Sequence, residues 1–243
     1  MCGRAGNRAV HGLLVAGVVF LAGCATGPNA DPRDPLEPLN RATYQVNQAL
    51  DDALIKPAAT LYSEVTPQLV RTGVRNFFTN LGDVWSFVNN LLQGKMSEAG
   101  DSLARVHVNT TLGLGGIFDL AGDLGIAQHR EDFGQTLGRW GVAPGPYLVL
   151  PFFGPSSLRD AGALVVDSFG NPVSHVSVVR HRNQLLGLSL IDKRAGLLRA
   201  SALMDDVALD PYSFTRDFYL QLRRSSVYDG DPPPEPVAEP ADK

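Results

Sequence analysis

The chain has 243 residues, with 21 Lys and Arg against 25 Asp and Glu and a formal net charge of −4. An acidic balance without a basic stripe argues against nucleic-acid binding and against simple electrostatic attraction to anionic headgroups. The apolar share of 44% suits a globular domain, whereas 25 Gly and 17 Pro are many for a helical one and predict frequent breaks and unusual backbone.

The first residues read as a secretory leader. Arg4 and Arg8 supply a positive start, Leu13 to Ala22 is apolar, and the stretch ends in Leu21-Ala22-Gly23-Cys24. Such a run is too short to span a bilayer, which takes about 20 apolar residues, but it suits the core of a signal peptide. The ending resembles the bacterial lipobox, in which small residues precede the cysteine that becomes the lipidated N-terminus. Residues 1–23 are therefore expected to be removed and Cys24 to carry lipid, in preference to an uncleaved anchor with an ordinary free cysteine. Cys2 leaves with the leader, so no cysteine remains for a disulfide, a metal site or a nucleophile. Ala25, rather than an aspartate, follows Cys24, which leans toward the outer membrane. Several acyl chains anchor stably where one alone is marginal. Residues 24–36 form a polar, proline-bearing tether that reaches at most about 40 Å.

A single helical domain is expected over 37–228. Asn40 is placed to cap a helix carrying Ala42, Val46, Leu50 and Leu54 on one face. Pro57 ends it or opens the next. Thr66-Pro67 reads as an N-cap followed by a first-turn proline. From Val70 to Leu92 apolar residues recur every three to four positions, with Gly82 as a bend and Gly94 as the stop. Ser97 is placed to cap a helix through Leu103 and Val106. Residues 112–127 are apolar and glycine-laced, and 141–155 apolar and proline-laced. Each is either a buried irregular part of the core or a segment that dips into lipid or lines a cavity. Helices are then expected over Asn183 to Ser189, over Asp192 to Leu209, and from Asp210-Pro211 through Phe214, Phe218 and Leu222. No stretch of strand period reaches a useful length. Residues 229–243 are acidic and proline-rich, a composition that cannot bury enough apolar surface to order itself.

The sequence carries no G-x-x-x-x-G-K-[ST] phosphate loop and no H-E-x-x-H. Gly154-Pro155-Ser156-Ser157-Leu158 lacks the closing glycine of a nucleophile elbow. His175 and His181 are six apart, not a familiar metal spacing. Asp119, Asp123 and Asp132 read as caps or turn residues. Arg105, Arg139 and Arg159 sit within mixed apolar regions. Each is either an ion-pair partner for a nearby aspartate or a fork for a phosphate. No catalytic residue, cofactor or metal is expected.

Asp34-Pro35-Leu36-Glu37-Pro38-Leu39-Asn40-Arg41, followed by Tyr44, Asn47 and Asp51, resembles the opening signature of the MlaA (VacJ) lipoprotein family. The resemblance continues through Asn76-Phe77-Phe78-Thr79-Asn80-Leu81 and Val88 to Lys95. It then takes in Val108-Asn109-Thr110-Thr111-Leu112-Gly113 with Gly116-Ile117-Phe118-Asp119, and Glu131 to Gly138 with Trp140-Gly141-Val142. It is clearest in Gly145 to Pro151 and Gly154-Pro155-Ser156-Ser157-Leu158-Arg159-Asp160. The blocks fall in family order over roughly Asp34 to Tyr212. Arg105-Val106 departs from the more usual Arg-Phe, and nothing transfers to the tail.

The resemblance implies an all-α, ring-like bundle with a central amphipathic channel, lipid-anchored in the inner leaflet of the outer membrane and facing the periplasm. It implies removal of phospholipids from the outer leaflet, a trimeric porin as partner and a soluble periplasmic lipid carrier as recipient. Two acyl chains exposed to water would cost on the order of 20 kcal/mol at about 0.8 kcal/mol per methylene. Without a nucleotide-binding loop the chain offers a sheltered path, and direction comes from a partner. Leu148, Leu150, Phe152, Phe153, Ile117 and Phe118 are candidates for the lipid path or membrane contact. Arg105, Arg139 and Arg159 are candidates for headgroup contact. A lipoprotein that braces porins or the envelope is the alternative, favoured by a filled core with no passage. A lipid hydrolase would need Ser156 or Ser157 within reach of a histidine.

Overall fold

The computed structural model describes residues 31–234. The leader, Cys24, the start of the tether and the end of the acidic tail lie outside the described residues.

The fold is helical. Helix α1 (Glu37–Leu50) passes through a π-helical turn, Asp51–Ile55, into α2 (Lys56–Val65). Pro57, which has no N–H to donate, follows directly on the π-helical turn in the first turn of α2. Thr66 closes α2 rather than capping the next helix, and Pro67 is the N-cap of α3 (Gln68–Leu92). That helix runs unbroken past Gly82. It stops at Gly94, whose φ of +77° needs no Cβ to avoid. Helix α4 (Met96–Thr111) then returns along α3, starting at Lys95 without the serine cap expected from Ser97. Asp119 caps the short α5 (Leu120–Asp123) by accepting from Gly122 N–H, and Asp132 caps α6 (Phe133–Arg139) by accepting from Gln135 N–H.

A small antiparallel hairpin, β1 (Tyr147–Leu150) and β2 (Gly154–Ser157), corrects the expectation of no strand. Its outer edge is paired by side chains of α1. Asn40 donates to the Tyr147 carbonyl at 3.0 Å and accepts from Val149 N–H at 2.9 Å. Asn47 donates to the Leu150 carbonyl at 2.9 Å and accepts from Phe152 N–H at 2.9 Å. The two asparagines are two turns apart, about 10.5 Å along a helix. Tyr147 to Leu150 spans about 10 Å of strand. Two carboxamides thus stand in for a missing third strand, and Asn40 is a buried clamp inside α1 rather than its cap.

Ser157 caps α7 (Leu158–Gly170), and a 3₁₀ turn, Pro172–His175, leads into α8. The two helices expected between Asn183 and Leu209 are one, α8 (Val179–Val207). Gly187 is accommodated in its interior at a cost of about 1 kcal/mol. Asp210 caps α9 (Pro211–Val227) as expected. The last part of the expected tether belongs to the fold: Asp34 is fully buried, accepts from Tyr212 OH at 2.5 Å and from Asn40 Nδ2 at 2.8 Å. The Arg33 carbonyl accepts from Tyr147 N–H.

Polarity is distributed in reverse. The large fully buried side chains include Asn40, Asn89, Asn90, Asp34 and Asp83, beside a small aromatic cluster around Tyr147 and Tyr212. Meanwhile Leu69 is 77% exposed and Val207 73% exposed, and apolar residues of α2, α8 and α9 face outward with them. Most of the buried groups have partners: Asn89 and Asn90 donate to the carbonyls one turn back, and Thr136 donates to Asn89 Oδ1, while Asn80 Oδ1 and Asn90 Oδ1 are left without one among the described residues. Burying a polar group is costly unless it is so partnered. No described helix is long and apolar enough to cross a membrane.

Candidate lipid-binding cavity

A half-enclosed cavity of about 580 Å³ lies between α3, α8, the 128–132 segment and the end of α7. Its volume is in the range of small-molecule sites. Helix α3 contributes Arg75, Phe78, Gly82 and Trp85, spaced by three or four residues and so on one face. Trp85 Nε1 donates to Asp167 Oδ1 at 2.7 Å, and Phe133 N–H donates to the same oxygen at 2.8 Å. The Trp85 ring fits there because residue 170 is glycine; a Cβ would stand 2.2 Å from the ring. From α8, Asp192 accepts from Tyr62 OH at 3.1 Å and is only 7% exposed. Burial and the Asp192 charge push the Tyr62 hydroxyl up to about 12.

The acids that line the cavity fall into two groups. Asp83 is paired with Arg105 at 3.0 Å, Glu131 with Lys95 at 3.0 Å and Asp132 with Arg223 at 2.5 Å. Asp167 and Asp192 have no cation within salt-bridge distance among the described residues. Burial raises the Asp167 carboxyl, and the Asp132 charge adds to the effect. Of the lining cations, Arg75, Arg130 and Lys193 have no carboxylate partner among the described residues. Arg130 instead donates to Gln128 Oε1 at 3.2 Å.

The candidates for lipid path and headgroup contact lie elsewhere; none of the nine lines this cavity. Arg105 is 3% exposed and spends its guanidinium on Asp83, Asp119 and the Ile126 carbonyl. Arg159 is buried against Asp160 at 3.0 Å and the Val142 carbonyl at 3.4 Å. Both therefore follow the ion-pair alternative, and of the three arginines Arg139 alone is at the surface. Phe152 and Phe153 project from the hairpin tip, 77% and 73% exposed, and Phe152 holds a φ of +68°, unusual for a bulky side chain. Leu148 and Leu150 are half-buried in β1, and Ile117 and Phe118 are partly exposed in the glycine-laced loop. Ser157 Oγ is committed to Asp160, and Ser156 Oγ donates to the Ser157 carbonyl; among the described residues neither hydroxyl bonds a histidine. The cavity wall was legible in part. Phe78 and Trp85 belong to the helical apolar period expected over Val70 to Leu92, but the period alone does not mark a cavity wall.

A helical body with a polar interior, an apolar exterior and a cavity lined by both signs of charge defines a protein built to meet amphiphilic surroundings. The chain belongs to the MlaA lipoprotein family, whose model matches residues 32–226. It is 36% identical over 214 residues to the intermembrane phospholipid transport system lipoprotein MlaA of Escherichia coli K12, covering 86% of this chain and 84% of that one. The corresponding lipoprotein of Haemophilus influenzae is 31% identical over 229 residues, with 87% and 88% covered. An uncharacterized protein of Rickettsia bellii is 35% identical over 195 residues, with 80% and 76% covered. A solved structure concerned with the structural basis for maintenance of bacterial outer membrane lipid asymmetry superposes with a TM-score of 0.71 at 32% identity, covering 80% of this chain and 98% of that one.

Proposed function

We propose that this chain is a non-enzymatic component of phospholipid transport, lipidated at Cys24 and seated in the outer membrane facing the periplasm. It removes phospholipids that have strayed into the outer leaflet and passes them to a soluble periplasmic lipid carrier, with a trimeric porin as membrane partner. The observation that carries this reading is the reversed polarity around a cavity: exposed apolar helices suit a lipid environment, and a charged, half-enclosed space suits a headgroup. The names of the relatives supply the cargo. A ring around a central channel would place that cavity on the lipid path. Phe152, Phe153, Leu148, Leu150, Ile117 and Phe118 are the proposed membrane-contacting edge, and Arg139 a headgroup contact at the surface.

The test is outer-leaflet phospholipid content, or lipid A palmitoylation, in a deletion strain carrying the wild type or Cys24→Ala. Surface phospholipid that rises on deletion and is lowered by the wild type alone upholds anchored transport. Unchanged surface phospholipid moves the bracing role to the front.

A further inference from the structure

The unpaired charges that line the cavity divide by burial. Asp192 is almost fully buried and Asp167 half-buried, whereas Arg75, Arg130 and Lys193 are exposed. The two carboxylates and the three cations line one space without pairing with each other, although the remaining lining acids all found cations. A buried carboxylate without a cation is costly, and structural charges in this fold are neutralised wherever a partner is near. An unneutralised acid behind an unneutralised base fits a ligand that carries the opposite signs in the same order.

Resting on the transport reading above, we propose that the cavity selects glycerophospholipids with a zwitterionic headgroup tipped by a primary ammonium. The ammonium enters first, against Asp167 and Asp192. The phosphodiester stops at the mouth, against Arg75, Arg130 and Lys193, where a guanidinium forks onto phosphate oxygens. The acyl chains trail outward toward the apolar exterior. A headgroup ending in glycerol offers the mouth its phosphate but leaves the two acids without a partner.

The full-length lipidated protein, extracted from membranes, is exchanged into micelles holding equal amounts of phosphatidylethanolamine and phosphatidylglycerol with the same acyl chains. Retained lipid is counted by mass spectrometry. The wild type retains ethanolamine lipid over glycerol lipid. Asp167→Asn with Asp192→Asn lowers that ratio about tenfold, the scale of a charge-assisted hydrogen bond. Both asparagines still accept the bonds from Trp85, Phe133 and Tyr62, and thermal melting checks the fold. Asp192→Asn alone gives the same direction should the double variant fail to fold. Equal retention by the wild type, or an unchanged ratio in folded variants, overturns the inference and leaves transport standing. Retention of neither lipid overturns both.

Discussion

Arg105 and Lys193 are cations on two helices that both pack against α3, and their surroundings differ. Arg105 is sealed among two aspartates and a carbonyl. Lys193 lines a cavity, is exposed, and forms no salt bridge among the described residues. The α3–α4 hairpin buries many polar groups and pairs its buried cation, whereas α8 has Asp192 as its buried residue among those described and leaves it without a cation. The contrast teaches that charge here serves two ends: paired and buried, it holds the fold; unpaired and accessible, it is available to a ligand.

Arg105→Met breaks the first kind of charge most severely. It strands Asp83 and lowers stability by about 3–5 kcal/mol, read as a fall in the thermal midpoint. Gly170→Ala forces the Trp85 ring off Asp167 and costs about 3 kcal/mol in the same assay, with tryptophan fluorescence shifting as the indole loses its acceptor. Acid gives a third separation. Despite burial, Arg223, Arg159 and Tyr219 hold the Asp160 carboxyl down at about 2, below its ordinary 3.8. The stabilisation is therefore full above about pH 4 and is lost as pH falls toward 2, a change of about 2 kcal/mol that denaturant titration across that range detects. Asn47→Ala frees the hairpin edge for about 1 kcal/mol and raises amide exchange at Phe152. Arg75→Gln sits at the other extreme. Stability stays within about 0.5 kcal/mol of wild type while retained phospholipid falls, and a large loss of stability there would erase the distinction.

Much of the helical framework was legible. Asp210-Pro211 opens α9, Asp119 and Asp132 cap their helices, and Gly94 stops α3, because each is a local device that needs no distant partner. The hairpin was not legible, since four-residue strands carry almost no period and their edge is completed by Asn40 and Asn47 from more than a hundred residues away. The expected break between Ser189 and Asp192 is absent, and α8 runs through it as one helix. The direction of the apolar faces was hidden for a deeper reason. Helical period reports that one side differs from the other, not which side meets water, so the period through Phe78 and Trp85 gave no sign that they line a cavity. The cavity charges were missed because cations and acids brought together from α3, α8 and the 128–132 segment have no shared spacing in the chain.

The burial of Asp34 has a mechanical side. With Asp34 fastened to Tyr212 and Asn40, the residues between Cys24 and Asp31 can reach no more than about 25 Å. A lipidated Cys24 would then act as a pivot with a short swing. The pole of the molecule where α1, the hairpin and α9 meet would be held against the bilayer while the opposite end moves through the widest arc.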